Sequence, residues 1–310
     1  MTAAAAGPAA PVPVLEVGGT HVTAALVAPD TGRPVPSSVI RRPLDSHGTA
    51  DAVLGTVART GLELPAGHRP CWGVAVPGPF DYDNGIGRYV GVGKFESLSG
   101  VDVAAGLRRR LGGRAERLCF LNDADAFGLG EYRAGAAAGH DRVVCLTLGT
   151  GVGSSFLERG RLVHDDPRVP PEGFVHHLTV HGGPLEDAVS RRAIRARYAR
   201  RAALPDGPEV PDVREIAARA QGGDPVAAEA FEYAFGTLGQ ALGPWIDRFE
   251  ATCVVIGGSM ARSWELVHTA FTDGLPAANR AVVSVLPAGL PEEAPLIGAA
   301  RWAQDAPDPA

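Results

Sequence analysis

The sequence predicts an α/β protein of two lobes. Apolar runs of strand length alternate with helical patterns along the chain, which is typical of sheets covered by helices. The length of 310 residues corresponds to about two domains of ordinary size. Glycine-rich segments follow three of the apolar runs, and these segments are candidate functional loops.

Each element is predicted from its local pattern. Short apolar runs bounded by Gly, Pro or Asp indicate strands, and apolar residues at helical spacing indicate helices. The predicted strands cover residues 12–17, 21–28, 72–76, 118–121, 142–148, 155–158, 253–256 and 281–285. The predicted helices cover residues 49–60, 102–111, 127–136, 185–201, 213–221, 225–249 and 295–303. The segments 12–28 and 142–158 look alike, since each is a hairpin with glycine at its tip.

Composition excludes several classes of function. The 29 basic and 35 acidic residues give a net charge of −6, which argues against a nucleic-acid partner held by phosphate contacts. No apolar run reaches the roughly 18 residues of a membrane span, so we expect no membrane partner. The cysteines are isolated among apolar residues, which indicates buried free thiols in a cytoplasmic protein and no cysteine-based zinc site; they are Cys71, Cys119, Cys145 and Cys253.

The glycine-tipped hairpins are the main functional clue. Glycine lets backbone N–H groups approach a phosphate closely, and threonine adds a hydroxyl donor. The alternative is that these glycines only close tight turns. Neither the Rossmann fingerprint nor the P-loop pattern occurs in the chain. The residues concerned are Gly18, Gly19 and Thr20 in the first hairpin, Gly149, Thr150 and Gly151 in the second, and Gly257 and Gly258 after a third strand.

Asp123 is the candidate general base. It follows the apolar run 118–121, and ligands collect beyond the carboxyl ends of strands in open α/β sheets. A carboxylate at this place can accept the proton of an acceptor hydroxyl during phosphoryl transfer. The alternative is that Asn122 or Asp123 caps the helix that begins near Ala124.

Five motifs together resemble the ROK family of repressors, unclassified reading frames and sugar kinases. They are residues 15–20 (LEVGGT), 73–79 (GVAVPGP), 122–125 (NDAD), 148–153 (LGTGVG) and 255–259 (VIGGS), all in family order. The resemblance implies a two-lobed actin/hexokinase-like (ribonuclease H-like) ATPase fold with a central cleft. We then expect a disordered lead-in over residues 1–11, a small lobe over 12–120 joined by the C-terminal helix 292–305, and a large lobe over 121–291.

The resemblance also implies roles for individual residues. ATP and Mg²⁺ would be the cofactors, and Asp123 the catalytic base. The hairpins named above would bind the phosphates, with Gly257 and Gly258 near adenosine. The sugar-binding residues would be Pro77, Gly78, Lys94, Asn122, Asp123, Glu172 and His176. His176 stands one residue late for the family's E-x-G-H motif, so His176, His177 or an altered loop fills that place; a plain surface turn after Pro171 is the alternative for Glu172.

The sequence departs from the family pattern at several places. Glu16 replaces the family's first Asp, which implies a Mg²⁺ contact through water by a longer side chain. The Cys-rich zinc motif is missing, so no zinc site is expected, although four histidines between residues 164 and 181 are ligands by type. Lys94, the only lysine of the chain, stands where relatives often have an Asn. It could contact a differently decorated acceptor, pair with Glu96, attract phosphate, or lie in solvent.

The leading hypothesis is an ATP-dependent kinase for the primary (C6-type) hydroxyl of a hexose or a close analogue. A kinase for an amino sugar such as kanosamine, or for a C7-cyclitol in an antibiotic pathway, is the alternative. A non-catalytic sugar-binding protein and a sugar-responsive regulator represent other classes. We expect a homodimer, by analogy with the family.

Overall fold

A computed structural model describes residues 9–205, 207 and 209–306, and these residues form two units. Unit 1 runs to Ala134 and resumes at Glu292, and unit 2 is Gly135–Pro291. The first division therefore falls after residue 134 and not after residue 120 as expected. Residues 1–8 of the expected lead-in lie outside the described residues.

Unit 1 contains seven strands and four helices within the described residues. The strands are β1 (Val12–Val17), β2 (His21–Val27), β3 (Ile40–Pro43), β4 (Cys71–Val76), β5 (Phe80–Asp81), β6 (Ile86–Gly87) and β7 (Arg117–Asn122). The helices are α1 (Ala50–Leu62), α2 (Val103–Leu111), α3 (Asp123–Ala134) and, near the end of the chain, α10 (Ala294–Asp305).

Unit 2 contains the remaining elements. The strands are β8 (Arg142–Leu148), β9 (Val152–Glu158), β10 (Arg161–Leu162), β11 (Thr179–Val180), β12 (Gly183–Pro184), β13 (Cys253–Gly257) and β14 (Ser284–Pro287). The helices are α4 (Glu186–Val189), α5 (Arg191–Arg201), α6 (Val213–Gln221), α7 (Pro225–Phe249), α8 (Trp264–Gly274) and α9 (Ala277–Val282).

The two units carry sheets of the same design. The five-stranded sheet of unit 1 has the order β3-β2-β1-β4-β7, and that of unit 2 has the order β10-β9-β8-β13-β14. In each sheet the first three strands are antiparallel, and the last three, which share the central strand, are parallel. The similarity of segments 12–28 and 142–158 thus extends to whole sheets, with a glycine-tipped hairpin in the same place in both.

Each sheet packs against its own apolar core. In unit 1 the fully buried Trp72 is the largest core side chain, and its indole N–H donates to Arg114 O at 2.8 Å. In unit 2 the core is aromatic, with Phe156 and Phe249 in edge-to-face contact at 5.3 Å between ring centroids. None of the four cysteines, all within the described residues, forms a disulfide; three are buried as predicted and Cys71 is half-buried.

Helix α3 belongs to unit 1 because it packs very closely against α10. A Cβ atom on Gly130 would collide with the carbonyl oxygen of Ala294, and one on Gly298 would collide with that of Ala126. Only glycine permits this backbone approach, so the two helices are matched at both crossing points. The contact fixes the start of α3, where Asp123 lies.

Three element predictions are wrong in their limits. The predicted helix 185–201 is two helices, because Ser190 is extended and its hydroxyl accepts a hydrogen bond from Ala193 N–H, which starts a new helix. Residues 281–282 belong to a helix and not to the late strand, because Asn279 is fully buried and anchors α9 by donating to Asp247 Oδ1 at 2.6 Å. The helix predicted at 127–136 begins at Asp123 and ends at Ala134.

Candidate active site

The first glycine hairpin joins β1 to β2 in unit 1. Its turn is closed by a hydrogen bond from Gly18 N–H to His21 O at 2.8 Å. Thr20 is exposed at the tip, and its hydroxyl lies 3.2 Å from His21 Nδ1. The turn thus presents two glycines and a hydroxyl at the carboxyl end of β1.

Asp123 follows β7 directly and is the first residue of α3. The N–H of Ala124 donates to Asn122 Oδ1 at 2.9 Å and lies 2.9 Å from Asp123 Oδ1, so Asn122 caps the helix and Asp123 shares the same N–H. The capping alternative is therefore confirmed. It leaves the second carboxylate oxygen of Asp123 to other partners, and the residue keeps part of its surface exposed.

Burial raises the pKa of Asp123 above its usual range. The charge of Lys94 is the largest effect that lowers the pKa, and the hydrogen bond from Ala124 N–H also lowers it. The charge of Asp125 raises the pKa further. Burial also raises the pKa of Glu16 on β1, and repulsion by Asp123 contributes. The carboxyls of Glu16 and Asp123 thus interact, although β1 and β7 are not neighbours in the sheet.

Polar groups next to Asp123 are fixed by hydrogen bonds. Asn122 Nδ2 donates to the hydroxyl of Tyr82 at 2.9 Å, and that hydroxyl lies 3.4 Å from Val76 O. Burial raises the pKa of Tyr82, which therefore remains protonated. Gly78 lies in this group, since a Cβ on it would be 3.4 Å from the Tyr82 hydroxyl and 3.7 Å from Asn122 Nδ2.

Pro77, the residue before Gly78, is held by a different tyrosine. It is buried, and its carbonyl accepts a hydrogen bond of 2.9 Å from the Tyr89 hydroxyl. The structure thus brings the predicted residues Pro77, Gly78 and Asn122 together around Asp123.

Lys94 lies beside the first hairpin. A Cβ on Gly19 would be 3.8 Å from Lys94 Cδ, so the lysine stem runs along the hairpin tip. Glu96, the ion-pair partner that the sequence left open, accepts a hydrogen bond from Gly93 N–H at 3.1 Å. Among the described residues the salt bridges pair other side chains, and Lys94 instead interacts electrostatically with Asp123.

The second hairpin joins β8 to β9 in unit 2. Gly149 N–H donates to Gly151 O at 3.0 Å, and Thr150 is exposed at the tip. Gly258, after β13, has φ +89°, and a Cβ on it would be 2.6 Å from Leu148 N. A side chain is excluded there both by the dihedral angle and by the backbone of β8. The third glycine segment is therefore packed directly against the base of the second hairpin.

Glu172 and His176 lie on one loop of unit 2 that is tied to β9. The buried Ser154 hydroxyl donates to Gly173 O at 2.8 Å and accepts from Val175 N–H at 2.9 Å. Glu172 itself is exposed and has φ +57°, a left-handed conformation that is uncommon outside glycine. Non-glycine residues held in this region cluster at functional sites.

Of the two adjacent histidines, His176 fits the expected sugar-binding place better than His177. It is half-buried and stacks on Phe174 at 5.3 Å, whereas His177 is exposed. Burial lowers the pKa of His176, His177 lowers it further, and Glu186 and Glu172 oppose the change. The ring is therefore close to both carboxylates.

Glu186 is a residue that sequence reasoning missed. Its Oε1 accepts a hydrogen bond of 3.1 Å from Val152 N–H, directly after the second hairpin, and its charge acts on His176. The signal was an acidic residue in the first turn of a helix after a Gly-Gly-Pro segment.

The described residues offer one carboxylate, Glu16, for an indirect contact to a metal ion. No group of three His, Cys, Asp or Glu side chains that could hold a metal ion occurs among residues 9–205, 207 and 209–306. Glu16 is a half-buried carboxylate that interacts with Asp123, which suits an indirect contact to a hydrated cation. In the same described part of the chain, no helix is long and apolar enough to cross a membrane.

Together the repeated sheets, the glycine hairpins and the half-buried Asp123 carboxylate define a two-unit α/β protein with the features of a phosphotransferase. The ROK family model matches residues 13–306, and the chain belongs to the ROK family. A glucokinase of Thermotoga maritima is 30% identical over 92% of this chain and 95% of its own.

Solved structures confirm the actin/hexokinase-like α/β fold. A ROK hexokinase of Thermus thermophilus superposes with a TM-score of 0.73 at 25% identity, covering 95% of this chain and 98% of its own. A ROK family glucokinase of Streptomyces griseus, solved with glucose and AMPPNP, has a TM-score of 0.76 at 23% identity and covers 96% of this chain and 100% of its own.

Proposed function

We propose that this chain is an ATP-dependent hexose kinase that transfers the γ-phosphate of ATP to a primary hydroxyl. The observation that carries the proposal is the pairing of the half-buried Asp123 carboxylate with a glycine hairpin in unit 1. Lys94 links the two, because its stem lies against Gly19 and its charge acts on Asp123. The similarity to the Thermotoga maritima glucokinase supports the same activity.

In unit 1 the hairpin of Gly18, Gly19 and Thr20 binds phosphate at its tip, through the N–H groups of Gly19 and Thr20 and the Thr20 hydroxyl, because the Gly18 N–H closes the turn. The group formed by Pro77, Gly78 and Asn122 holds the acceptor beside Asp123. Glu16 is the carboxylate that would hold Mg²⁺ through water, and the ion would supply positive charge to the phosphates of ATP. The burial of Glu16 next to Asp123 fits this task, since a cation keeps two interacting carboxylates ionised.

Unit 2 supplies the second hairpin of Gly149, Thr150 and Gly151 for phosphate, and Gly257 and Gly258 near adenosine. The loop of Glu172 and His176 binds sugar hydroxyls, which need both hydrogen-bond donors and acceptors when they are buried. Glu186 adds a second carboxylate to this group.

The reaction needs one proton acceptor. Asp123 takes the proton from the acceptor hydroxyl while that oxygen bonds to the γ-phosphorus, and the bond from phosphorus to the bridging oxygen of ADP breaks. The raised pKa of Asp123 makes the carboxylate a stronger base than an exposed aspartate, provided the pH keeps it ionised.

The test is ADP release measured with Mg·ATP against glucose, mannose, N-acetylhexosamines and glucosamine. Sugar-dependent ADP release that Asp123→Asn abolishes supports the proposal. Nucleotide and sugar binding without ADP release would instead identify a non-catalytic sugar-binding protein. The homodimer and the cytoplasmic location stay predictions; light scattering of the purified protein measures the first.

A further inference from the structure

Lys94 occupies a place in unit 1 that serves phosphate chemistry better than sugar recognition. Its stem contacts the tip of the first hairpin, with 3.8 Å between Cδ and the Cβ position of Gly19. Its positive charge acts on the carboxylate of Asp123. The lysine thus lies beside both the phosphate-binding hairpin and the proposed base. The phosphoryl group passes between these two places during transfer.

The residue that follows Lys94, Phe95, is anchored in the core and fixes the backbone there. Phe95 is buried, has φ +56°, and its N–H donates to Ser46 O at 2.8 Å. Its ring also packs against Tyr89 with 5.4 Å between centroids. Gly91 and Gly93 precede the lysine, both exposed and at positive φ, so this side of the loop is built to turn sharply. Anchoring by Phe95 directs Lys94 towards the hairpin.

The backbone of the loop engages Glu96, the nearest acidic residue to Lys94 in the sequence. The carboxylate of Glu96 accepts the N–H of Gly93 and thereby stabilises the loop itself. The charge of Lys94 acts on the carboxylate of Asp123. A cation placed in this way can serve a negatively charged group that arrives with the substrate.

We propose that Lys94 is a further catalytic residue, whose ammonium contacts the γ-phosphoryl group at the Gly19 hairpin and stabilises the charge that develops there during transfer. This inference rests on the proposed kinase function. The ammonium stays protonated throughout: Asp123 takes the hydroxyl proton, the acceptor oxygen bonds to phosphorus, and ADP leaves with the bridging oxygen. Lys94 thus acts on the phosphate and is not a ligand of the sugar.

The first test uses the fact that the chain has one lysine. An amine-selective acylating reagent modifies Lys94 and the α-amine of the chain, and peptide mass spectrometry separates the two sites. We expect Mg·AMPPNP to suppress acylation of Lys94 but not of the α-amine, and glucose alone to leave both unchanged. Protection by glucose alone, without protection by Mg·AMPPNP, would overturn the proposal.

The second test compares Lys94→Met, which keeps the stem and removes the charge, with Lys94→Arg, which keeps a cation. We expect Lys94→Met to lower kcat by about 10²- to 10³-fold with little change in the KM for the sugar, and Lys94→Arg to recover part of the loss. Arg109→Gln removes an exposed charge on α2 and is the matched control. A raised sugar KM with unchanged kcat would show that Lys94 binds the acceptor.

The two failures can be told apart. If the wild-type chain phosphorylates none of the sugars, the proposed function fails, while nucleotide protection of Lys94 still reports on the lysine. If the wild type is active and Lys94→Met retains its kcat, the inference fails and the kinase function stands. Unchanged thermal unfolding of Lys94→Met separates either result from misfolding.

Discussion

Asp123→Asn is the substitution that separates catalysis from structure most cleanly. The amide has the size of the carboxyl, and its Oδ1 can still accept the hydrogen bond from Ala124 N–H that caps α3. What it loses is the negative charge and the ability to accept a proton. The fold and the acceptor-binding group around Asn122 should therefore remain.

The expected loss of activity follows from the role of a general base. Positioned proton transfer contributes about 10²- to 10⁴-fold to rates, which corresponds to about 3–5 kcal/mol of transition-state free energy. We expect kcat for Mg·ATP and the best sugar to fall by this factor, with sugar affinity retained. Coupled ADP release gives kcat, and calorimetry gives the affinity. Activity near that of the wild type would refute the assignment of Asp123.

For the same variant we expect stability to stay equal or to rise, although activity falls. Because burial raises the pKa of Asp123, its ionised form destabilises the folded state, and stability falls as the pH rises through the folded pKa. Asp123→Asn removes that charge and its repulsion of Glu16. The Tm at pH 7 should be equal to or higher than that of the wild type. Asp83→Asn, an exposed charge removal in the same unit, is the matched control and should change neither kcat nor Tm.

Three further predictions follow from the same geometry. The value of kcat/KM should fall on the acid side with a midpoint above the ordinary aspartate value of 3.8, since Asp123 must be ionised to act; a flat profile down to that pH would contradict the raised pKa. Gly258→Ala should weaken ATP binding measured by calorimetry, because the Cβ meets the backbone of Leu148; unchanged affinity would separate Gly258 from the nucleotide. Ser154→Ala should destabilise the protein by about 1–3 kcal/mol in denaturant unfolding and raise the sugar KM, because two buried backbone groups lose a partner. Unchanged stability of this variant would show that contacts other than the Ser154 hydroxyl hold the loop of Glu172 and His176.

Local patterns predicted most of what positions the site. The two hairpins, the strand that ends before Asp123 and the parallel strand before Gly257 follow from apolar runs and glycines, which are short-range signals. The apolar pattern alone places the start of α3 at residue 127, whereas the capping alternative places it near Ala124, and the hydrogen bond from Ala124 N–H to Asn122 Oδ1 agrees with the second.

The remaining errors come from contacts that the sequence does not display. The buried Asn279 holds α9 against α7 through a hydrogen bond to Asp247, so a β-branched segment there becomes helical. Strand β3, which was not predicted, is largely exposed and exists because β2 offers it hydrogen-bond partners. Glu186 reaches the second hairpin through Val152 N–H, across a separation in sequence that no spacing rule covers.

The position of α3 shows the same limitation at the level of the whole unit. Its glycines match the carbonyl groups of α10, which lies near the other end of the chain. No local signal shows that pairing, and it moves residues 121–134 from the expected second lobe into unit 1.

Sugar-dependent ADP release by the wild-type chain, compared with Asp123→Asn under the same conditions, tests the central claim most directly. The account predicts ADP release with Mg·ATP that requires a hexose and disappears in the variant, while the variant still binds the sugar. Equal ADP release by both proteins, or none by a wild type that binds both ligands, would contradict it.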